Sequence, residues 1–177
     1  MVQYRRNFVP GGTYFFTVAL HDRRSDLLIR HVDVLRTAFK AECAARPFRT
    51  DAIVILPDHL HAIWTLPPHA SDFSGRWRGI KSRFVRSLSQ SGLHIPRNDR
   101  GEVLVWQRRF WEHTIRDEGD YERHVDYIHY NPVKHGVAEC AVGWAYSSFH
   151  RFVERGDIGA DWAGPVDDIN VPASGEP

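Results

Sequence analysis

Two histidines one residue apart, His59 and His61, follow a turn signal and lie inside a run with the composition of a buried strand. Side chains of a strand alternate between its two faces, so both imidazoles are predicted to project from the same face. Two adjacent imidazoles can begin a binding site for a divalent metal ion. The alternative is a pair of hydrogen-bonded histidines on a sheet surface, which requires no metal.

A second group of polar residues lies in a predicted helix over residues 121–131, which the proline at position 132 is expected to end. On a helical wheel Tyr127 and Asn131 fall together beside the core-facing stripe, whereas Tyr130 falls opposite it. Because a side chain on that flank can reach across to the sheet, Tyr127 is the tyrosine predicted to act as a nucleophile. The alternative is that Tyr127 is a half-buried core residue and Asn131 a C-terminal cap.

Together these residues predict phosphodiester chemistry. Two imidazoles and the amide oxygen of Asn131 could hold a divalent ion that acts as a Lewis acid on a phosphate oxygen. A tyrosine hydroxyl has an ordinary pKa of about 10, so it needs a neighbouring cation to attack at neutral pH. Attack by Tyr127 would leave a covalent phosphotyrosine, which keeps the phosphodiester energy available for rejoining.

The rest of the chain indicates an α+β fold. Apolar periodicity predicts strands over residues 13–20, 52–56, 59–66 and 109–116, and helices over residues 31–45, 74–90 and 121–131. A short strand is also expected over residues 103–106. This order is that of a ferredoxin-like βαββαβ sandwich with an antiparallel sheet, followed by an additional C-terminal helix that carries the tyrosine.

Length and composition limit the number of domains and the classes of protein that are possible. The 177 residues fit a single domain over residues 1–153 and an acidic, loosely held tail over residues 154–177. No apolar run is long enough for a transmembrane helix, and no signal sequence is evident, so a cytoplasmic protein without membrane contact is expected. Two distant cysteines suggest neither a disulfide scaffold nor a zinc ribbon.

Charge is distributed unevenly along the chain. Residues 74–111 contain nine basic residues and two acidic ones, interleaved with aromatic side chains. Such a stretch suits contacts with phosphates and stacking on bases, although a solvated basic helix face is an equal alternative. The candidate phosphate contacts are Arg76, Arg78, Lys81, Arg83, Arg86, Arg108 and Arg109.

These segments resemble a known family. The His-Leu-His sequence at residues 59–61 matches the His-hydrophobic-His motif of the HUH single-strand DNA endonucleases. Residues 127–136 (Tyr-Ile-His-Tyr-Asn-Pro-Val-Lys-His-Gly) are similar to the tyrosine helix of the REP-associated tyrosine transposases, relatives of the single-tyrosine insertion-sequence transposases. Residues 12–17, 110–118 and 144–148 agree with the same family, and the resemblance covers roughly residues 4–153.

The resemblance implies roles for the residues already singled out. Tyr127 would be the nucleophile, and His59, His61 and Asn131 would be the ligands of Mg²⁺ or Mn²⁺. Asn131 is a shorter amide at a position where the insertion-sequence relatives commonly carry glutamine. Histidine is a softer ligand than Mg²⁺ prefers, so Mn²⁺ is expected to serve as well or better.

The family also implies a DNA partner. It implies binding of single-stranded DNA folded into repetitive extragenic palindrome (REP) hairpins, with cleavage and joining of strands by a monomer or homodimer. The N-terminal arm resembles the region that would contact a short single-stranded guide near the foot of the hairpin. The residues of this arm are Tyr4, Arg5, Arg6 and Asn7.

Two other classes of function fit part of the sequence. A non-catalytic single-strand nucleic-acid-binding module of RNA-recognition-like topology would share the predicted fold. Such a module would bind without a divalent ion and lose nothing when Tyr127 is changed to phenylalanine. A small metallohydrolase acting on another phosphoester would turn over without a trapped covalent adduct.

Overall fold

A four-stranded antiparallel sheet forms the centre of the structure, a computed structural model that describes residues 6–164. Its strands are β1 (Thr13–Ala19), β2 (Arg49–Ile55), β3 (His59–Thr65) and β4 (Trp111–Thr114). They lie in the order β2-β3-β1-β4, and every neighbouring pair is antiparallel. This strand order confirms the predicted ferredoxin-like sandwich.

Five α-helices accompany the sheet within residues 6–164. They are α1 (Leu27–Arg30), α2 (Val32–Ala45), α3 (Phe73–Gln90), α4 (Glu118–Lys134) and α5 (Phe149–Arg155). The helices α2 and α3 pack on one face of the sheet, and α4 packs on the other. None of the helices within residues 6–164 is long and apolar enough to cross a bilayer.

The two central strands carry apolar side chains on both faces. Along β1, Tyr14 and Phe16 join the core beneath α2 and α3, whereas Phe15 joins the core beneath α4. On the α3 side, Trp64 of β3 stacks on Trp77 with ring centroids 4.1 Å apart. Burial on both faces explains why these strands appear in the sequence as nearly continuous apolar and aromatic runs.

Helix α4 is longer than predicted at both ends. It begins at Glu118, where the Asp117 side chain accepts a hydrogen bond from the Asp120 N–H at 2.8 Å. It continues through Pro132 to Lys134, so the prediction that the proline ends the helix is wrong. A proline removes one helical hydrogen bond but does not stop the turn that follows it when the surrounding contacts stabilise that turn.

The end of α4 is set by a glycine instead. The His135 N–H bonds to the Asn131 carbonyl at 3.0 Å, and the chain then turns at Gly136, whose φ is +66°. The following N–H, of Val137, bonds back to the Pro132 carbonyl at 3.0 Å. A left-handed glycine with bonds back into the last turn is a common helix terminator, and it outweighs the proline here.

The segment before β4 is irregular. The strand predicted over residues 103–106 does not form, and Leu20 and Trp106 make only an isolated antiparallel bridge. Two backbone bonds hold the segment against the end of β1: His21 N–H to the Val105 carbonyl (3.0 Å), and Gln107 N–H to the Ala19 carbonyl (2.9 Å). The segment therefore extends the sheet edge without becoming a strand.

A buried carboxylate joins the two helices on the α3 face. Glu42 of α2 is 1% exposed and accepts hydrogen bonds from Arg46 at 2.6 Å and from Arg83 of α3 at 3.1 Å. Gly79 of α3 leaves room for this carboxylate, since a Cβ at position 79 would lie 2.1 Å from the Glu42 Oε2. Two hydrogen-bonded cations offset the cost of burying the charge.

We expect the substitution Gly79→Ala to destabilise the fold by about 1–3 kcal/mol, despite the higher helix propensity of alanine. The added methyl group must displace the Glu42 carboxylate from its two arginine partners. Gly119→Ala is the matched control, because a Cβ there meets no atom closer than 3.4 Å. Urea unfolding of both variants tests this, and equal stability of the two would contradict the role of Glu42.

Candidate active site

The two histidines of the His-x-His motif lie on the face of β3 that α4 covers. His61 pairs in register with Thr17 of β1, and His59 pairs with Ala19. Both side chains are almost fully buried, and their ring centroids are 5.0 Å apart. The rings share one face of the strand, as the alternation of side chains predicts.

Each imidazole is held through its Nδ1 atom. The His59 Nδ1 lies 2.8 Å from a carboxylate oxygen of Asp58, and the His61 Nδ1 lies 2.9 Å from the Thr17 hydroxyl. Arg23 in turn pairs with Asp58 at 3.0 Å. Because an ionised carboxylate only accepts, His59 donates from Nδ1, which leaves a lone pair on its Nε2.

Both Nε2 atoms are buried, and neither has a hydrogen-bond partner within the described part of the chain. Metal-binding histidines characteristically bond through one ring nitrogen to a carboxylate or hydroxyl and ligate through the other. His59 and His61 have this arrangement. Unpaired buried nitrogens are costly unless something binds them, so the pair fits a metal ion.

The surroundings of His61 favour its neutral form. Burial lowers the pKa of His61 well below its ordinary value, and the positive groups of His59, His135 and Lys134 lower it further. At neutral pH the His61 ring is therefore uncharged, and its Nε2 carries the lone pair when Nδ1 donates to the Thr17 hydroxyl. Burial would raise the pKa of Asp58, but the hydrogen bond to His59 and nearby positive charge outweigh burial and lower it.

Tyr127 lies beside the histidine pair. Its ring centroid is 5.2 Å from that of His61 and 5.8 Å from that of Phe15, and the residue is 4% exposed. The Lys134 ammonium group, two turns further along α4, lies 5.0 Å from the Tyr127 ring centroid. The structure thus brings the predicted nucleophile close to the two histidines predicted as metal ligands.

Asn131 follows Tyr127 by one helical turn and is fully buried. It lies inside α4, so the alternative that it caps the helix end is wrong: the residue at the C-cap is His135. Neither the Oδ1 nor the Nδ2 atom of Asn131 has a hydrogen-bond partner among residues 6–164. Two unpaired imidazole nitrogens and one unpaired amide oxygen are a donor set suited to a divalent ion such as Mn²⁺ or Mg²⁺.

The structure adds two residues that the sequence did not single out. His135 is exposed, and its ring centroid is only 4.9 Å from that of His59. Lys134 contacts the Tyr127 ring, as described above. Their spacing in the sequence could have indicated these positions. His135 follows Asn131 by four residues and Lys134 follows Tyr127 by seven, and helical residues at these spacings share a face.

His129 of α4 is also fully buried. Its Nε2 is 3.1 Å from the Ser148 hydroxyl, and its ring packs against Phe149 and Phe152 of α5. Burial lowers the pKa of His129 to about 4, and the charge of Arg151 contributes. The sequence missed this because α5, which covers this side of α4, was not predicted.

A second group with metal-ligating atoms lies at the start of α4. Ligand atoms of His113, Asp120 and His124 all lie within 4.8 Å of one another. The Asp120 carboxylate, however, is already bonded to His113 Nε2 at 2.8 Å, and the His124 Nδ1 bonds to the Asp120 backbone carbonyl at 2.7 Å. The carboxylate also accepts from the Arg116 N–H at 3.0 Å, and Arg123 lies 3.6 Å away. We interpret this group as a hydrogen-bond network that fastens the first turn of α4 to β4.

This network predicts a pH dependence of stability. Burial would raise the pKa of Asp120, but hydrogen bonds from His113 and Arg116 outweigh burial and lower it to about 2, with His124 contributing. A carboxyl group with a depressed folded pKa adds stability above its unfolded pKa of about 4, and this stability is lost as the pH falls towards 2. We expect Asp120→Asn to cost about 2 kcal/mol at pH 7.

Urea unfolding of wild type and Asp120→Asn between pH 7 and pH 2.5 measures this contribution. The difference between the two proteins should be constant from pH 7 to about 5 and shrink steadily below pH 4. A difference that stays the same down to pH 2.5 would show that the carboxylate charge does not matter.

Two residues of the N-terminal arm contact the sheet edge: Arg6 and Asn7 contact β4, and Arg6 also donates to Ser74 of α3. Arg6 is placed 3.5 Å from Glu112 and 4.1 Å from the centroid of the Phe110 ring. Asn7 donates to the Thr114 hydroxyl at 3.2 Å. The other two predicted DNA contacts of the arm, Tyr4 and Arg5, lie outside the described residues.

The remaining predicted DNA contacts differ in their surroundings. Arg78, Arg108 and Arg109 are exposed. Lys81 is half-buried and donates to the Gln107 carbonyl at 3.1 Å. Arg83 is bound to Glu42, as described above, and its charge is already compensated. Arg76 is buried and donates to backbone carbonyls, among them that of Pro47 at 3.0 Å.

Comparison with known proteins places the chain in a family. It is 47% identical over 171 residues to the REP-associated tyrosine transposase of Escherichia coli (strain K12), a match that covers 97% of this chain and 96% of that protein. A protein of Haemophilus influenzae with the same family description is 44% identical over 169 residues, covering 94% of this chain and 96% of that protein.

A solved structure of a REP-associated tyrosine transposase bound to a REP hairpin matches with a TM-score of 0.83 at 48% identity, covering 95% of this chain and 94% of that one. No protein-family model matches the chain. On this identity, which extends over nearly the whole of both sequences, the chain belongs to the REP-associated tyrosine transposases.

Proposed function

We propose that this protein is a metal-dependent single-stranded DNA endonuclease and strand transferase that binds REP-type hairpins and cleaves through a covalent phosphotyrosine. The observation that carries the proposal is the placement of the Tyr127 ring 5.2 Å from His61, whose Nε2 is buried and unpaired. The solved relative bound to a REP hairpin supports the choice of DNA partner. The alternative of a non-catalytic binding module leaves the unpaired His59 and His61 nitrogens unexplained.

The residues that would hold Mg²⁺ or Mn²⁺ are His59, His61 and Asn131, through two ring nitrogens and an amide oxygen. When bound, the ion supplies Lewis-acid polarisation of a phosphate oxygen. The protein's own contribution is to fix the orientation of both rings through Asp58 and Thr17 before DNA arrives.

Tyr127 supplies the nucleophile. Its hydroxyl oxygen forms a bond to the phosphorus atom, its proton passes to water, and the bond between phosphorus and the departing strand breaks. The departing oxygen takes a proton and leaves as a hydroxyl group. The positive charge of Lys134 beside the Tyr127 ring stabilises the negative charge that develops on the phenol oxygen. In the reverse reaction, a strand with a free hydroxyl attacks the phosphotyrosine and is joined.

Contacts with the DNA backbone are proposed for the exposed cations. Arg78, Arg108 and Arg109 are exposed and can neutralise phosphates without breaking an ion pair. For the half-buried Lys81 and the Glu42-bound Arg83, a DNA contact requires a rearrangement of existing bonds. The arm residues Tyr4, Arg5, Arg6 and Asn7 are proposed to contact the single strand at the foot of the hairpin.

The test is to incubate the protein with end-labelled hairpin DNA that carries single-stranded flanks, in Mn²⁺, Mg²⁺ or EDTA, and to separate products under denaturing conditions. We expect a covalent protein–DNA species in either metal and none in EDTA. Trypsin should release the adduct on the peptide over residues 124–134, and fragmentation should place it on Tyr127 rather than on Tyr130.

Each other outcome contradicts the proposal in a distinct way. Specific binding of hairpin DNA with no adduct in any divalent ion would indicate a binding module. Cleavage without an adduct would indicate a metallohydrolase that uses water. An adduct on Tyr130 would show that Tyr130, and not Tyr127, is the nucleophile.

A further inference from the structure

A cavity of about 530 Å³ lies on the α3 face of the sheet, away from the histidine pair. It is formed between the second half of α3 and the irregular segment over residues 91–108. Its volume falls within the range of about 300–1,000 Å³ that is typical of small-ligand sites. The proposed cleavage step does not involve this cavity.

The cavity has apolar walls. The side chains of Val85, Ile95 and Val103 form part of its lining, together with the indole ring of Trp106. Trp106 is 9% exposed and packs on Phe84, and its Nε1 has no hydrogen-bond partner within residues 6–164. A flat aromatic ligand could contact this ring and the aliphatic wall, since base–aromatic stacking tolerates any base.

The rim of the cavity is strongly basic. Lys81, Arg86, Arg97 and Arg108 all line it, and within the described residues no carboxylate does. The Lys81 ammonium lies 5.6 Å from the Trp106 ring centroid, and burial, with the charge of Arg6, lowers its pKa to about 8. An anion bound at this rim would offset the repulsion among the cations and restore the full charge of Lys81.

The cavity wall is joined to the strand end that carries the metal site. Gln107 bonds to Ala19 of β1, and Ala19 pairs in register with His59 of β3. A DNA strand that passes the histidine pair can therefore continue around the same end of the sheet to reach the cavity. Apolar walls for a base and cations for its phosphate are the complement of one nucleotide.

We propose that this cavity is a specificity subsite that takes one unpaired nucleotide from the single-stranded flank of the DNA hairpin. The base lies between Trp106 and the aliphatic wall, and Arg86 and Arg108 contact its phosphates. The inference rests on the proposed function, because it takes the substrate to be hairpin DNA with single-stranded flanks.

The test scans the flank with 2-aminopurine, a fluorescent base that is quenched when it stacks on an aromatic ring. Hairpins carrying 2-aminopurine at successive flank positions are bound to wild type and to Ser89→Trp, in which an exposed residue of α3 is enlarged to fill the cavity. We expect at least a twofold quench at one position with wild type and none with Ser89→Trp. An abasic nucleotide at that position should weaken wild-type binding about tenfold and leave Ser89→Trp binding unchanged.

The charged rim is tested by the double variant Arg86→Ala/Arg108→Ala, with Arg100→Ala as the matched control. Arg100 is an exposed cation of the same irregular segment that does not line the cavity. The double variant should bind flanked hairpins at least tenfold more weakly and lose clearly less affinity for blunt hairpins without flanks. Arg100→Ala should bind both DNAs like wild type.

The outcomes separate the inference from the proposed function. The proposed subsite is contradicted if wild type forms the Tyr127 adduct but no flank position is quenched, or if Ser89→Trp binds all DNAs like wild type. The proposed cleavage through Tyr127 is unaffected by either result. Equal loss of flanked and blunt hairpins in the double variant would mean that Arg86 and Arg108 contact duplex DNA, which also overturns the subsite. If wild type binds no hairpin DNA at all, both proposals fall.

Discussion

Replacing Tyr127 by phenylalanine should abolish the covalent protein–DNA species and reduce strand cleavage at least about a thousandfold. The substitution removes one oxygen atom from a residue that is 4% exposed and in ring contact with His61 and Phe15. Because the ring remains, packing beneath α4 is kept and the fold should be stable. The adduct, measured by denaturing electrophoresis with flanked hairpin DNA and Mn²⁺, is the direct readout.

Tyr130→Phe is the matched control, since Tyr130 is on the same helix three residues away and is only half-buried. We expect this variant to form the adduct at the wild-type rate. Hairpin affinity, measured without a divalent ion, should be unchanged in both variants. An adduct that persists in Tyr127→Phe, or disappears equally in Tyr130→Phe, would contradict the assignment of the nucleophile.

Changing His61 to asparagine should have the second large effect, lowering both Mn²⁺ affinity and strand cleavage at least about a hundredfold. His61 is fully buried and has a free Nε2, and the shorter amide cannot place a donor at the same point. Binding of a metal to the folded protein raises its melting temperature, so Mn²⁺ should stabilise wild type and not the variant. This thermal measurement needs no DNA and is independent of cleavage.

A graded variant and a control sharpen the test. Thr17→Val keeps the ligand but removes the hydroxyl at its Nδ1, and it should weaken Mn²⁺ binding by about tenfold to a hundredfold. His113→Gln changes a histidine of β4 that bonds to Asp120, and it should keep Mn²⁺ binding. Loss of Mn²⁺ binding in His113→Gln but not in His61→Asn would indicate that the metal binds at the cluster of His113, Asp120 and His124 instead.

The fold was largely predictable from the sequence, and the errors have physical causes. The alternating and continuous apolar runs correctly predicted the four strands and their positions along the chain, because burial on one or both sheet faces leaves a clear pattern. The short helices α1 and α5 were missed, since few residues carry their periodicity. The end of α4 was misplaced because a proline is locally unfavourable for a helix, while the contacts that keep the last turn are tertiary.

The site was predictable where spacing alone determines geometry. Strand alternation brings His59 and His61 to one face, and the helical wheel correctly favoured Tyr127 over Tyr130 as the residue facing the sheet. The partners Asp58 and Thr17 were not predictable in the same way. Thr17 is far from His61 in sequence and meets it only through the register of β1 and β3, which no local pattern specifies.

Arg83 shows the same limit for charged residues. Its position on a basic helix suggests a phosphate contact, yet its partner is a buried carboxylate on α2. Only the packing of α2 against α3, with Gly79 at the crossing, brings Glu42 within reach. Net charge along a sequence therefore overestimates the number of cations available to DNA.

The proximity of Tyr127 and His61 within one polypeptide also bears on how many molecules a reaction requires. Since α4 folds back over the strands of its own chain, dilution cannot separate the hydroxyl from the imidazoles. Mixing a protein that lacks Tyr127 with one that lacks His61 should then restore nothing, because neither supplies what the other has lost. Under the proposed mechanism one molecule is sufficient for cleavage, and the rate per molecule should therefore be independent of protein concentration.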